Sequence, residues 1–505
     1  MMLTDSNHHT IRHGHLFCGL GGGAKGFNAA KARHGRLSAD FECLGGIDVD
    51  PAAIRDFERL AGVSGTVLDL FARDQYRSFH GSEPPAGWRE AATGDIHRAF
   101  GFRRPHILFL SAPCKGFSGL LSERTSRTPK YQALNQLTLR GVWLTLEAYK
   151  DDPIEFILFE NVPRIATRGR ALLDQIVGLL RSYGYAVAET THDCGELGGL
   201  AQRRKRFLLV ARHAGKVRPF LWEPPKRSLH GVGDVLSRMK LPDDPGAGPM
   251  HRVPRLHWQT WVRLAFVEAG RDWRSLERLA VQDGFLRDYA LIQDMGCDPV
   301  APLEIRDPRP NNRRQFANIY RVVPWDSATS TVIGRCQPSD GAMSVADPRP
   351  GLARSKGDHY LTAGHYGVVR WQDGCGAVSA AAGHDNGRWA VADPRRTLPA
   401  HDDRTATVIR ALDGTWHRPF TTAELACLQS LFDPEEQAEL DGLNDTAWRE
   451  RIGNAVPPDA AQAIAETMGR TLLAAWSGES FMLSAAPIWV RPMAIAASVD
   501  LPVCH

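Results

Sequence analysis

Two rhythms of apolar and polar positions alternate along the first 220 residues. Short apolar runs predict strands at His15–Cys18, Cys43–Val49, Thr66–Leu70, Ile107–Ser111, Phe156–Glu160, Ala186–Thr190 and Phe207–Ala211. Between several of them apolar residues recur at helical spacing, over Pro51–Ala61, Tyr131–Ala148 and Ala171–Tyr183. Strands alternating with helices at this interval predict an α/β domain, a parallel, doubly wound sheet with helices on both faces. In such sheets ligands sit at the carboxyl ends of the strands.

The rhythm breaks near Pro219, where Pro and Gly accumulate, and Val253 to Met295 then reads as helical and Trp-rich. Beyond it the chain repeats itself. Tyr320-Arg-Val-Val-Pro-Trp325 recurs as Tyr366-Gly-Val-Val-Arg-Trp371, and Gly341-Ala-Met-Ser-Val-Ala-Asp347-Pro-Arg349 as Gly387-Arg-Trp-Ala-Val-Ala-Asp393-Pro-Arg395, each pair 46 residues apart. A truncated third copy runs through Thr405–Ile409 and Gly414–Trp416. The units predict β-hairpins with Gly, Pro and Asp turns, either as duplicated scaffolding or as basic loops laid on a nucleic acid. Helical patterns resume over Thr421–Leu431 and Pro458–Ala475, and residues 476–505 form an apolar tail without period.

Composition narrows the class. With 505 residues, 43% apolar and a net charge of +4, the chain can bury a real core and is not a disordered one. No run approaches the ~18 apolar residues of a membrane span, and the polar N-terminus carries no secretory h-region. Nine cysteines, none spaced Cys-x-x-Cys, argue against a disulfide framework or zinc knuckle and for a reducing, cytoplasmic setting. Basic residues are mainly Arg, the residue of forked phosphate and guanine contacts, a bias that high genomic GC content also produces.

Four constellations carry chemistry. Phe17-Cys-Gly-Leu-Gly-Gly-Gly-Ala-Lys-Gly26 follows a strand and precedes a helix, so Gly19, Gly21 and Gly22 allow a tight turn and close approach to a ligand. Asp48 ends the next strand, where a carboxylate can accept from a ribose diol. Together they predict an adenosine-bearing cofactor, and these residues alone leave NAD or FAD open. Pro113-Cys114 ends a strand of buried type in a Ser/Gly loop beside Lys115, a setting that can expose a thiol and lower its pKa. Hydride transfer has no use for such a cysteine. Glu160-Asn161 ends another apolar strand, where an acid can serve as proton donor or merely as a loop or cap residue. Alternation puts Gln202, Arg204 and Arg206 on one side of a strand start, suited to a polar ligand.

These strings, followed by Arg418-Pro-Phe-Thr-Thr-Ala-Glu424 with Leu428-Gln429 and by Gly453-Asn454-Ala-Val-Pro-Pro458, resemble in kind and order the motifs of DNA (cytosine-5) methyltransferases. The resemblance spans residues 15 to about 212 and 418 to about 475. It implies a Rossmann-like domain that takes S-adenosylmethionine, without a metal, and a cytosine flipped out of a duplex. Under it, Cys114 attacks position 6 of the base and Glu160 serves ring nitrogen 3. Gln202 and Arg204 hold the base and Cys114, and Arg206 supports the acid. Phe17, Gly19, Gly21, Gly22, Asp48 and Pro113 line the cofactor, with Gly453 and Asn454 closing its pocket. Asp69 is preferred over Asp95 as the adenine-contacting acid because a strand precedes it. Lys115 stands where the family usually has Gln, and Ala112 where Pro or Gly is frequent.

The expected organisation is a catalytic domain over 1–212 and 418–475, an inserted, mainly β target-recognition domain over 213–417, and a tail over 476–505. Ser118, Arg309, Arg349 and Arg395 are then expected to meet nucleic acid, while Trp325 and Trp371 are expected in the core. The expected protein is a cytoplasmic, DNA-associated monomer of a prokaryote or phage, with duplex DNA as substrate, no membrane and possible pairing with a restriction endonuclease. The alternatives are an RNA cytosine-5 methyltransferase and a catalytically inactive DNA-binding relative.

Overall fold

The structure is a computed structural model of the chain. It describes residues 7–113, 128–218, 223–253, 367–378, 387–395, 415–442 and 444–478, with shorter stretches at 258–267, 269–270, 278–279, 281–282, 285–286, 290–294, 303–304, 322–324, 344–346 and 408–411.

The chain runs through β1 (His8–Leu16), α1 (Gly22–Ala29), β2 (Lys31–His34), β3 (Leu37–Asp48), α2 (Pro51–Ala61), β4 (Gly65–Val67), β5 (Ile107–Leu110), β6 (Phe156–Asn161), β7 (Tyr185–Asp193) and β8 (Lys205–His213). These eight strands form one sheet in the order β2-β3-β1-β5-β6-β8-β7, with β4 also on β3. Strands β1, β3, β4, β5 and β6 run parallel. A strand overlaps each of the seven expected, though β1 ends at Leu16 and β4 at Val67, short of Cys18 and Leu70, and the sheet is mixed rather than parallel throughout. β8 is antiparallel to both β6 and β7, because the short β7–β8 link, holding only the helix Cys194–Gly198, leaves little room for a crossover. β2 was not anticipated. It lies antiparallel on the first half of β3, and its polar sequence gives no apolar run to read.

Alternate residues of the central strands feed two cores. Leu108, Leu110, Ile157 and Phe159 pack with the helices Pro129–Ala148 and Arg170–Ser182. Ile107, Phe109, Phe156 and Leu158 pack with Phe27 of α1 and with the C-terminal helix Pro458–Trp476. The layer begun by α1 is thus completed from the far end of the chain. A methyl group on Gly26 would stand 2.1 Å from the Pro458 carbonyl oxygen, so the two helices meet backbone to backbone.

Among the described residues of Val253–Met295 the expected helix is found over Trp258–Phe266, and short strands follow it. A second sheet has the order Leu303–Glu304, Ala290–Asp294, Val408–Arg410, Trp416–Pro419, Ala390–Asp393, Val368–Val369. Its strand Trp416–Pro419 runs across the boundary expected at 417. The sequence repeat reappears as a repeated pairing: Val322 faces Ser344, and Val368 faces Ala390. Both of these described pairs are parallel, unlike the hairpin pairing expected of the units. Val408–Arg410 and Trp416–Pro419, in the truncated copy, are antiparallel neighbours in sequence, as are Val281–Gln282 with Phe285–Leu286 and Ala290–Asp294 with Leu303–Glu304. Among the described residues no helix is long and apolar enough to cross a membrane.

Candidate active site

A cavity of about 710 Å³ opens at the carboxyl ends of β1, β3, β5 and β6. Its glycine-rich side is built by the turn after β1. Phe17, Gly19 and Gly21 have φ of 54°, 51° and 91°, left-handed values that favour glycine and are strained for Phe17. The Gly19 amide donates to Asp48 Oδ2 at 2.9 Å, and the Asp50 amide to Oδ1 at 3.0 Å, so Asp48 fastens the turn to the end of β3. Burial raises the Asp48 carboxyl above its ordinary range, against the pull of these amides. A Cβ on Gly19 would meet nothing within 4 Å, which leaves its backbone open to a ligand.

Gly21 and Gly22 are not on the cavity wall as expected. Gly21 lies against Phe57, and a Cβ on Gly22 would come 2.4 Å from the Val456 carbonyl oxygen. Their smallness serves packing. Asp69 lines the cavity, accepting from the Phe71 amide at 2.9 Å and from Trp88 Nε1 at 3.1 Å. Asp95 lies away from the cavity wall. It caps the helix Thr93–Ala99, and its pairing with Arg89 and Arg98 pulls its carboxyl well below the usual range, against burial.

The opposite side carries the acid. Glu160, buried at the end of β6, takes Arg206 Nε on Oε1 at 2.9 Å and the Ser111 hydroxyl on Oε2 at 3.0 Å. Asn161 Nδ2 donates to the Ala112 carbonyl at 3.3 Å, tying the ends of β5 and β6 together just before Pro113, which lines the cavity. Arg204 is fully buried and forks. Nη1 reaches the Val378 carbonyl at 2.9 Å, and Nη2 reaches those of Gly453 and Ala455 at 2.8 Å. A ribose-type acceptor at β3 and a braced carboxylate at β6, in one cavity, can hold a nucleoside donor beside a second polar, planar ligand.

Residues 11–245 match the family model described as C-5 cytosine-specific DNA methylase. Over that span, somewhat under half of its length, the chain is similar to this family. Its fold is similar to that of the Entamoeba histolytica methyltransferase EhMeth, with a TM-score of 0.50 at 11% identity, covering 91% of this chain and 98% of that one. The Dnmt2 methyltransferase of S. pombe covers 92% and 98%, with a TM-score of 0.42 at 14% identity. An E. coli prophage-encoded protein described as a DNA modification methyltransferase covers 91% and 98%, at 0.43 and 14%. No curated protein matches.

The matched family implies S-adenosylmethionine, and the cavity fits it. Its volume lies in the range of small-ligand sites, Gly19 leaves its backbone open, and Asp48 stands at the strand end suited to a ribose. Gly453 and Asn454 line the same cavity, at the end of the helix Asp445–Asn454, and Gln429 Nε2 holds that end through the Ile452 and Ala455 carbonyls at 2.7 and 2.9 Å. Gln202 does not line the cavity. It is fully buried behind it, paired through its backbone with Cys375, and its amide has no partner among the described residues.

Cys114, Ser118, Arg309 and Arg349 lie outside the described residues, as do residues 479–505. Arg395 is described, and its placement corrects its expected nucleic-acid role. The guanidinium is turned inward onto Asp393 at 2.7 Å and the Leu236 carbonyl at 3.1 Å, over the ring of Trp371. Sequence reasoning missed His15, Ser111, Asp441 and Arg451 on the cavity wall. Ser111 was legible as the last residue of a strand; Asp441 and Arg451 left no local signal.

Proposed function

We propose that the protein is a DNA (cytosine-5) methyltransferase, acting on a cytosine flipped from a duplex and of the restriction-modification or phage-borne kind. The observation that carries this reading is Glu160, braced by Arg206 and Ser111 in the cavity that also holds the Asp48-anchored glycine turn. S-adenosylmethionine, when bound, supplies an electrophilic methyl group.

The chain's own residues do the rest. The Cys114 thiolate adds to carbon 6 of cytosine, forming an S–C bond while the ring's 5,6 π pair moves onto carbon 5. Glu160 meets ring nitrogen 3 and draws charge from the ring as that pair develops. Carbon 5 takes the methyl group, then loses its proton to a base as the S–C bond breaks, restoring the double bond and the thiolate. Arg206 orients Glu160, and Arg204 keeps the Gly453–Ala455 turn over the donor side. The insertion between 213 and 417 supports the choice of DNA, because reading a duplex needs an extended surface.

The test is transfer of a labelled methyl group to duplex DNA and, separately, to RNA. Incorporation into DNA is expected from the wild type, none from Cys114→Ser, and a kcat about 10²- to 10⁴-fold lower from Glu160→Gln. Incorporation into RNA alone, or none from the wild type, would overturn the reading.

A further inference from the structure

Alternation along β1 sends residues 11, 13 and 15 to one side of the sheet, into an apolar core. Ile11 packs there with Phe27, Phe41 and Phe109. The next two positions are His13 and His15, both buried, with their rings against Phe27 at 5.2 and 5.7 Å. The β1–β3 pairing skips a residue between His13 and Gly14, which sets His13 directly opposite Cys43, itself buried. Two imidazoles and a thiol thus stand together among phenyl rings, and one ligand atom of each lies within 4.8 Å of the others. The reaction proposed above engages none of the three.

The hydrogen bonds around them turn lone pairs inward. Asn28 Nδ2 donates to the Ala61 carbonyl at 2.9 Å, which fixes the amide, and Asn28 Oδ1 accepts from the Cys43 amide at 3.1 Å. His13 Nε2, 3.1 Å from that same oxygen, is therefore the protonated nitrogen. His13 Nδ1 then holds a lone pair facing His15 Nε2, 2.9 Å away. Burial lowers the pKa of both rings, that of His13 to about 3, so both are neutral, the form that binds a metal. Cys43 Sγ makes a long contact, 3.8 Å, with the Gly45 carbonyl, and burial pushes the thiol up to about 12.

We infer that His13 Nδ1, His15 Nε2 and Cys43 Sγ form a binding site for one zinc(II) ion between β1 and β3. Two imidazoles with a thiolate suit zinc and exclude the hard cations magnesium and calcium, which take oxygen. Asn28 supplies the outer hydrogen bond that fixes the tautomer and aim of a metal-binding histidine. The two nitrogens need part by a few tenths of an ångström to reach the ~3.3 Å that a tetrahedral zinc sets between its nitrogen ligands. Binding releases the Cys43 proton to solvent and moves the His15 proton from Nε2 to Nδ1, which leaves the site with one net positive charge. Three protein ligands leave the fourth position of a tetrahedral ion to water, and His15, which also lines the cavity, offers the way in. The assignment does not depend on the methyltransferase reading. The ion would staple β1 to β3 behind the Phe17–Gly21 turn.

The experiment is elemental analysis of the full chain, purified without chelators, followed by titration of the chelator-stripped chain with zinc(II) and with cobalt(II). About one zinc per chain is expected. Cobalt(II) is expected to give a thiolate charge-transfer band in the wild type and none in Cys43→Ser. Asn28→Ala, outside the ligand set, is expected to weaken zinc about 10- to 100-fold. Nitrogen-15 spectra of the zinc-loaded wild type, which need no variant to fold, are expected to place the His15 proton on Nδ1. A wild type that neither carries zinc nor takes it up stoichiometrically would overturn the assignment. So would a His15 proton found on Nε2 in the loaded chain, or zinc held equally by Cys43→Ser, which would be an adventitious ion only.

Discussion

Glu160 is a buried carboxylate held by one cation, and that makes Arg206 a residue of two separable effects. Removing the cation leaves a buried charge uncompensated, a loss of about 3–5 kcal/mol by analogy with other broken buried pairs, eased here by the Ser111 hydroxyl. Arg206→Ala is expected to lower the melting temperature and the methyl-transfer rate together. Adding Glu160→Gln should restore much of the stability and none of the activity, which thermal melts beside the transfer assay would check. At this scale the sequence was most legible where function is local: the glycine turn, Asp48 and Glu160 each end an apolar run. His15 escaped because its meaning lies in a chain through residues 13, 28 and 43, which no linear pattern joins. Asp441 escaped for the same reason; its forked pair with Arg55, at 2.8 and 3.0 Å, spans most of the chain.

Among elements, the tightest contact is between α1 and the C-terminal helix. Gly26→Ala would force a methyl group against the Pro458 carbonyl, and is expected to destabilise the protein by about 1–3 kcal/mol, read as a fall in the unfolding midpoint. The second sheet joins the helix Thr422–Leu428 through ions. Arg418, fully buried, forks onto Glu424 at 2.7 and 2.9 Å and onto Asp393 at 2.9 and 3.1 Å. Burial alone would raise the Asp393 carboxyl, but Arg418 and Arg395 outweigh it and hold it at about 2, below its ordinary 3.8. A depressed carboxyl contributes stability above its unfolded value and loses it as pH falls through the folded one. Stability is therefore expected to drop between about pH 4 and pH 2, with a shallower drop in Asp393→Asn, as followed by denaturation at each pH. Strands β5 and β6 were plain in the sequence because both faces are covered. β2 was not, being a polar edge, and the repeats misled because a hairpin and a parallel pair share one local rhythm.

For the whole molecule, the order of the chain is not the order of the fold. Residues 458–476 finish a layer that residues 22–29 begin, and the cavity is walled by segments from both ends. A chain ending before Pro458 would leave the apolar faces of α1 and the sheet uncovered, so such a truncation is expected to yield no soluble monomer on gel filtration. The family resemblance could anticipate Asn454 near the donor; the composition of residues 441–456 could not.

The Arg204 guanidinium, just before β8, joins two distant parts of the polypeptide through their carbonyls, Val378 on one side and the Gly453–Ala455 turn on the other. A shift in either must be absorbed by a single rigid guanidinium plane. Under the proposed function, nucleic acid held by residues 213–417 is expected to tighten the hold on the methyl donor, and thermodynamic reciprocity then requires the donor to tighten the hold on nucleic acid by the same factor. Measured around a closed cycle, that factor should collapse towards one in Arg204→Lys, whose point charge can serve only part of the set.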